Sequence, residues 1–211
     1  HQATQEILAA ADVVCATCVT AGGETLRDIV FPYVLVDEAT QSTEPATLIP
    51  VVRGCHTLVL IGDQQQLPPT IKSFKAKTAG LGRSLFERLV DAHFPLTMLE
   101  VQYRMHPIIA AFSSREAYRG RLRTGISPED RPAPKGFDWP IIEKPVAFVG
   151  VGGANEVLET TVTGGSRCNS REAKKVAQIL KSILAENNFE NQDDVAVITP
   201  YVGQLRELER T

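Results

Sequence analysis

Apolar residues fall along this chain in two rhythms. Short runs that are aliphatic at nearly every position predict strands: Val13-Val14-Cys15-Ala16, Tyr33-Val34-Leu35-Val36, Thr57-Leu58-Val59-Leu60-Ile61, Val146 to Val149 and Val195 to Ile198. Unbroken apolarity, in place of alternation, predicts strands covered on both faces. Between these runs lie helical patterns: one ending near Ala11, one starting near Glu44-Pro45, one through Ser84–Ala92, one from Pro107 to about Ala117 and a long one after Asn169. Asn169 caps the last, and Glu172, three residues on, completes a capping box. Ala173, Val176, Ala177, Leu180, Ile183 and Leu184 then form one apolar stripe at helical spacing. Apolar strands alternating with helices imply an α/β fold with parallel sheets covered by helices.

Two loop-rich zones interrupt the pattern, residues 64–82 and the Pro/Gly-rich residues 125–144, the second expected to form a surface excursion. Phe94-Pro95 precedes a fresh strand at Met98. A junction there divides the chain into residues 1–96 and 97–211.

Composition narrows the class. With 211 residues and 43% hydrophobic content, the chain supports one or two packed domains. No apolar run is long enough to cross a bilayer, so no membrane partner is expected. The start, HQATQEILAA, lacks the basic-then-apolar pattern of a signal peptide. It also lacks Met, which suggests a piece of something longer. Cys15-x-x-Cys18 has no further metal ligands at suitable spacing, so buried reduced thiols are the expectation. The net charge of −3 does not advertise nucleic acid, but its distribution is uneven. From Ile71 to Thr124 ten basic residues face four acids. That stretch suits either a phosphate backbone or a solvated face.

Three segments carry chemistry. Val34-Leu35-Val36-Asp37-Glu38 delivers two adjacent carboxylates to a strand's C-terminal end, where open α/β sheets bind ligands. Neighbours on a strand point opposite ways, so the two carboxylates can do different work. The bland alternative is an acidic turn before a helix. Leu58 to Pro69 is a second strand running into polar groups, and an amide such as Gln66 both donates and accepts without ionising. Leu99 to Pro107 contains Tyr103, able to stack on a base, and Arg104, able to meet developing phosphoryl charge. Taken singly, a core aromatic and a structural ion pair explain those two residues equally well.

In this order the three segments resemble the superfamily-one helicases of the up-frameshift group. Asp37-Glu38-Ala39-Thr40-Gln41 looks like the family's Walker B motif, Gly62-Asp63-Gln64-Gln65-Gln66-Leu67 like its motif three, and Gln102-Tyr103-Arg104-Met105-His106-Pro107 like its motif four. Ser84 to Leu89, Lys135 to Pro140, and Ile198-Thr199-Pro200-Tyr201 with Gln204 are closest to members that serve nonsense-mediated mRNA decay. Leu67-Pro68-Pro69 is closer to the senataxin and immunoglobulin-mu-binding types.

The resemblance implies parts of two RecA-like domains of the P-loop NTPase fold, with ATP and Mg²⁺ as cofactors. It assigns Asp37 to the metal, Glu38 to water activation, Gln66 to γ-phosphate sensing, Tyr103 to the adenine and Arg104 to an arginine finger. It offers Thr17, Thr199, Pro200 and Tyr201 as contacts to nucleic acid. It further implies single-stranded RNA as partner, with DNA as the alternative, mRNA-decay factors, no obligate homo-oligomer, and a cytoplasmic protein that also visits the nucleus. A non-catalytic module that clamps RNA or protein is the competing reading.

The family's phosphate loop has the form G-x-x-x-x-G-K-[ST], and no Gly-Lys pair occurs here. Truncation at both ends is the expectation. The 211-residue chain alone is expected to bind ATP poorly and not hydrolyse it; nucleic-acid-stimulated ATPase from the purified chain would contradict this.

Overall fold

The computed structural model describes residues 2–153, 159–162, 164–189 and 194–211. It divides into two compact units, His1–Met98 and Leu99–Thr211.

In the first unit, helix α1 (Gln2–Ala10) is followed by two short 3-10 turns, Thr20–Gly22 and Glu24–Leu26. Strand β1 (Tyr33–Val36), helix α2 (Glu44–Val51) and strand β2 (Thr57–Leu60) then form a β-α-β unit. The strands pair in parallel, Tyr33 opposite Thr57 and Val36 opposite Leu60. Helices α3 (Phe74–Thr78) and α4 (Leu85–Asp91) follow. Ser84 is buried and caps α4, its Oγ accepting the Glu87 N–H at 3.1 Å. Phe86 of α4 joins Val34, Val36 and Ala39 in the core, with Leu58, Leu60 and Val90 packed around them. Arg88 of α4 donates to both carboxylate oxygens of Glu44, at 2.8 Å each, pinning α4 to the start of α2. Those hydrogen bonds hold the Glu44 carboxyl below its ordinary value.

The expected strands β1 and β2 form, but the expectation of two covered faces is not met. Val34 and Val36 are buried, whereas Tyr33 and Leu35 are 78% and 64% exposed. The α4 residues cover one face, and a strand's side chains alternate between faces, so every second residue is left open. The run Val13–Ala16 is no strand. A strand exists only by hydrogen bonding to a neighbour, and the first unit's sheet holds only β1 and β2 among the described residues. The Cys15 and Cys18 thiols depart from expectation as well, since Cys15 is exposed and Cys18 is half-buried.

The second unit runs β3 (Val101–Gln102), α5 (Pro107–Tyr118), β4 (Arg123–Thr124), a 3-10 turn at Pro128–Asp130, β5 (Thr160–Thr161), β6 (Arg167–Cys168), α6 (Ser170–Glu186) and α7 (Val202–Arg210). β3 pairs with β4 in parallel, and β5 with β6 antiparallel. The apolar runs Val146–Val149 and Val195–Ile198 form no strands, and Phe148 and Ile198 are 97% and 91% exposed. The reason is again the want of a paired neighbour among the described residues. The excursion at 125–144 folds back on the end of α6. Asn187 accepts the Lys135 N–H at 3.0 Å and donates to the Lys135 carbonyl at 2.9 Å.

Helix α6 shows how the tertiary fold overrides a local signal. Asn169 caps it as expected, its Oδ1 accepting from the Arg171 and Glu172 N–H groups at 3.1 and 3.2 Å. Glu172 does not close the box. The Asn169 N–H donates instead to Oε1 of the buried Gln204 on α7, at 2.6 Å, while Gln204 Nε2 donates back to the Asn169 carbonyl at 3.2 Å. Gly203 beside it lets α7 approach β6, because a Cβ there would meet the Arg167 carbonyl oxygen at 2.8 Å. Replacing Gln204 with Ala strands the Asn169 N–H, while the Asn169 carbonyl keeps the Ala173 N–H at 3.1 Å; one unsatisfied buried donor costs about 1–3 kcal/mol. The urea midpoint of the second unit's unfolding should fall accordingly, with its slope unchanged.

Candidate functional site

The parallel pairing of β1 and β2 places both strand C-termini on one edge, and the two polar turns that follow are laced together there. The Ile61 N–H donates to the Val36 carbonyl and the Ala39 N–H to the Ile61 carbonyl, both at 2.8 Å. The Asp63 N–H then reaches Thr40 Oγ1 at 3.3 Å. Gly62 suits this close crossing, since a Cβ would sit 3.0 Å from the Thr40 backbone N and Cγ2. Asp37-Glu38 and Gln66 therefore emerge from the same edge of one sheet, and all three are exposed.

Each turn is braced internally. Glu38 adopts φ of +51°, a left-handed conformation that costs a non-glycine residue on the order of 1 kcal/mol. Local hydrogen bonds hold it there. Its N–H donates to Asp37 Oδ1 at 3.0 Å, and Gln41 Nε2 donates to Glu38 Oε2 at 2.9 Å. In the second turn Gln66 Nε2 donates to Asp63 Oδ2 at 2.7 Å, and Asp63 Oδ1 accepts the Gln65 N–H at 3.0 Å. The edge thus presents a hard carboxylate, a second carboxylate held in a fixed turn, and an oriented amide. Thr40 and Asp63 had no role in the reading of the sequence. A Thr two residues after the carboxylate pair was the signal for the first.

The second unit carries the other candidate residues on a separate turn. Gln102 organises it. Its Oε1 accepts the Arg104 and Met105 N–H groups at 2.9 and 2.7 Å, and its Nε2 donates to the Met105 carbonyl and to Thr124 Oγ1 at 2.9 Å each. The buried His106 caps α5, its Nδ1 accepting the Ile108 N–H at 3.1 Å. Arg131 donates through Nε to the Arg104 carbonyl at 3.1 Å. Tyr103 and Arg104 are left exposed, and no ion pair engages the Arg104 guanidinium among the described residues. One side of the Tyr103 ring lies against Gly125, where any Cβ would overlap it. Gln102, Gly125 and Arg131 are positioning residues that the sequence pattern alone did not single out. They lie within or beyond the motif, and their partners were invisible.

The ten-cation stretch is partly spent on acids. Arg88 meets Glu44, Arg83 meets Asp91, Arg115 meets Glu116, and Arg121 meets Glu100, with Arg123 at 3.9 Å from the same carboxylate. The Arg121 hydrogen bonds hold Glu100 below the usual glutamate value. Thr17, in the first unit, is occupied locally. Its Oγ1 lies 2.7 Å from Thr20 Oγ1 and accepts the Thr20 N–H at 3.2 Å, starting the 3-10 turn. Thr199, Pro200 and Tyr201, in the second unit, line a cleft of about 260 Å³ together with Asn169 and Gln204.

A family model described as AAA domain matches residues 81–211, more than half of the chain, and another of the same description matches residues 1–74. The chain is 44% identical over 205 residues to a regulator of nonsense transcripts 1 homolog from Neurospora crassa, covering 97% of this chain and 18% of that protein. It is 44% identical over 201 residues to the ATP-dependent helicase NAM7 of Saccharomyces cerevisiae, covering 94% and 20%. The ATP-dependent helicase upf1 of Schizosaccharomyces pombe is 39% identical over 203 residues, covering 96% and 21%. The chain thus spans about a fifth of the length of these curated relatives.

Gly125→Ala should displace the Tyr103 ring while costing little stability, because the ring is 64% exposed and free to swing away. Ring-proton chemical shifts of Tyr103 report this directly, and unchanged shifts would mean that the ring does not rest on Gly125.

Proposed function

The chain belongs to the AAA-domain family, and on that premise we propose that it is a segment of an ATP-dependent helicase acting on single-stranded RNA in nonsense-mediated mRNA decay. In this reading the unit His1–Met98 is the C-terminal part of a first RecA-like domain. The unit Leu99–Thr211 is the N-terminal part of a second. The observation that carries the reading is the laced edge at which Asp37, Glu38 and Gln66 emerge together. The names of the relatives support it.

The donor set fits magnesium held through nucleotide phosphates. Such an ion needs only one or two protein carboxylates, with phosphate and water oxygens completing its shell. Asp37 supplies one, exposed at the strand end. When bound, Mg²⁺–ATP supplies the phosphoryl group and neutralises part of its charge. Glu38 accepts a proton from the attacking water, its carboxylate aimed by the left-handed turn and by Gln41. Gln66 reports on the γ-phosphate, its amide pre-oriented by Asp63. Tyr103 stacks on the adenine, and Arg104 offers its guanidinium to phosphate oxygens as charge develops. Thr17 and the Thr199-Pro200-Tyr201 segment touch the nucleic-acid backbone, which is gripped without sequence readout. mRNA-decay factors are its protein partners and the cytoplasm its main compartment. No described helix is long and apolar enough to cross a membrane.

In the intact protein, Glu38→Gln should preserve ATP binding and lower turnover by at least about a hundredfold, the contribution of a positioned general base. Steady-state ATPase with and without RNA measures this, and unchanged turnover would remove Glu38 from the base role.

A further inference from the structure

The second unit carries a cationic cleft that none of the motif segments includes. Arg171, Lys174, Lys175 and Gln178, on one side of α6, line an open cleft of about 380 Å³, facing Gly150 and Gly152. All four α6 side chains are exposed. Helical spacing puts them on one face, opposite the stripe that buries Ala173. Lys181, also exposed, extends the same face by about one further turn. At 1.5 Å per residue, Arg171 to Lys181 spans about 15 Å. Phosphates along one strand of a duplex rise about 3.4 Å each and lie farther apart along an extended single strand, so the stripe is long enough for more than one phosphate and outreaches a lone anion. Among the described residues, Lys174 and Lys175 enter no ion pair. In this they differ from Arg83, Arg88, Arg115 and Arg121, which are spent on acids. Gly150 and Gly152 bear no side chain that would hold a phosphate away from the lysines, and Gly152 at φ of +99° takes a turn that favours glycine.

We infer that this face of α6 is a binding track for the sugar-phosphate backbone of single-stranded nucleic acid, additional to the Thr199-Pro200-Tyr201 segment. The identity of the polyanion rests on the helicase reading; the site itself rests on the cleft and its charges. Lysine heads act as point charges and carry no base discrimination, so the track adds affinity and leaves sequence preference unchanged. Gln178 adds an uncharged donor between the cations.

The test is the salt dependence of single-stranded RNA binding by the intact protein. A Lys174→Ala/Lys175→Ala variant removes two phosphate contacts, so the slope of log affinity against log salt should become shallower by about 1.4. The loss should be equal for unrelated sequences, and Lys174→Arg/Lys175→Arg should restore the slope. Unstimulated ATP turnover should not change, which confirms a folded variant. An unchanged slope in the folded double variant overturns the proposal. So does a variant whose only defect is in binding inorganic phosphate, since that would make the cleft a lone-anion site. The helicase reading stands or falls separately on the Glu38→Gln turnover measurement, which the slope does not touch.

Discussion

Parallel strands paired in register must end side by side. In the first unit that constraint places the polar turn after β1 against the polar turn after β2, and everything at the candidate edge follows from it. The register brings Val36 opposite Leu60, the chain crosses at Gly62, and two backbone hydrogen bonds through Ile61 close the crossing. Only then do Asp37, Glu38 and Gln66 share one edge. α4 makes the pairing durable, because Phe86 buries the Val34 and Val36 face while Arg88 clamps the start of α2.

The second unit solves a similar problem by a different route. β3 is two residues long and contributes little rigidity. The turn that carries Tyr103 and Arg104 is instead held by one amide, Gln102, which makes four hydrogen bonds within the turn and to β4. A neutral amide is well suited to this, since it donates and accepts at once and keeps its bonds at any pH. Fixing the backbone in this way leaves the Tyr103 and Arg104 side chains exposed.

Charge tells a related story. Half of the cations in the stretch richest in them pair with acids at the surface, while Lys174 and Lys175 on α6 enter no ion pair among the described residues and stay open beside a glycine turn. Local density of basic residues is therefore a poor guide to where a polyanion binds. What counts is whether acids of the same unit reach the cations first, and that depends on packing.

Local signals were enough for α1, α2, α4, α5 and α6, but not for α3, which lies within the expected loop zone, nor for α7. A proline at the start of α5, a serine before α4, an asparagine before α6 and apolar spacing of 3.6 marked their ends and faces, because caps and periodicity act over a few residues. The strands β1 and β2 were legible in the same way, as was the place of Asp37, Glu38 and Gln66 in the turns that follow them. The equally apolar runs at Val13–Ala16, Val146–Val149 and Val195–Ile198 read as strands by the same signal and are none, because a strand needs a partner that its own residues do not encode. Tertiary structure alone decided that one face of the β1–β2 sheet stays open, that Tyr103 rests on Gly125, and that Gln204, thirty-five residues away, takes the hydrogen bond assigned to Glu172. The physical reason is common to all of these. Backbone groups and side chains bond whatever the folded chain brings within reach, and that reach is set by packing between segments far apart in sequence.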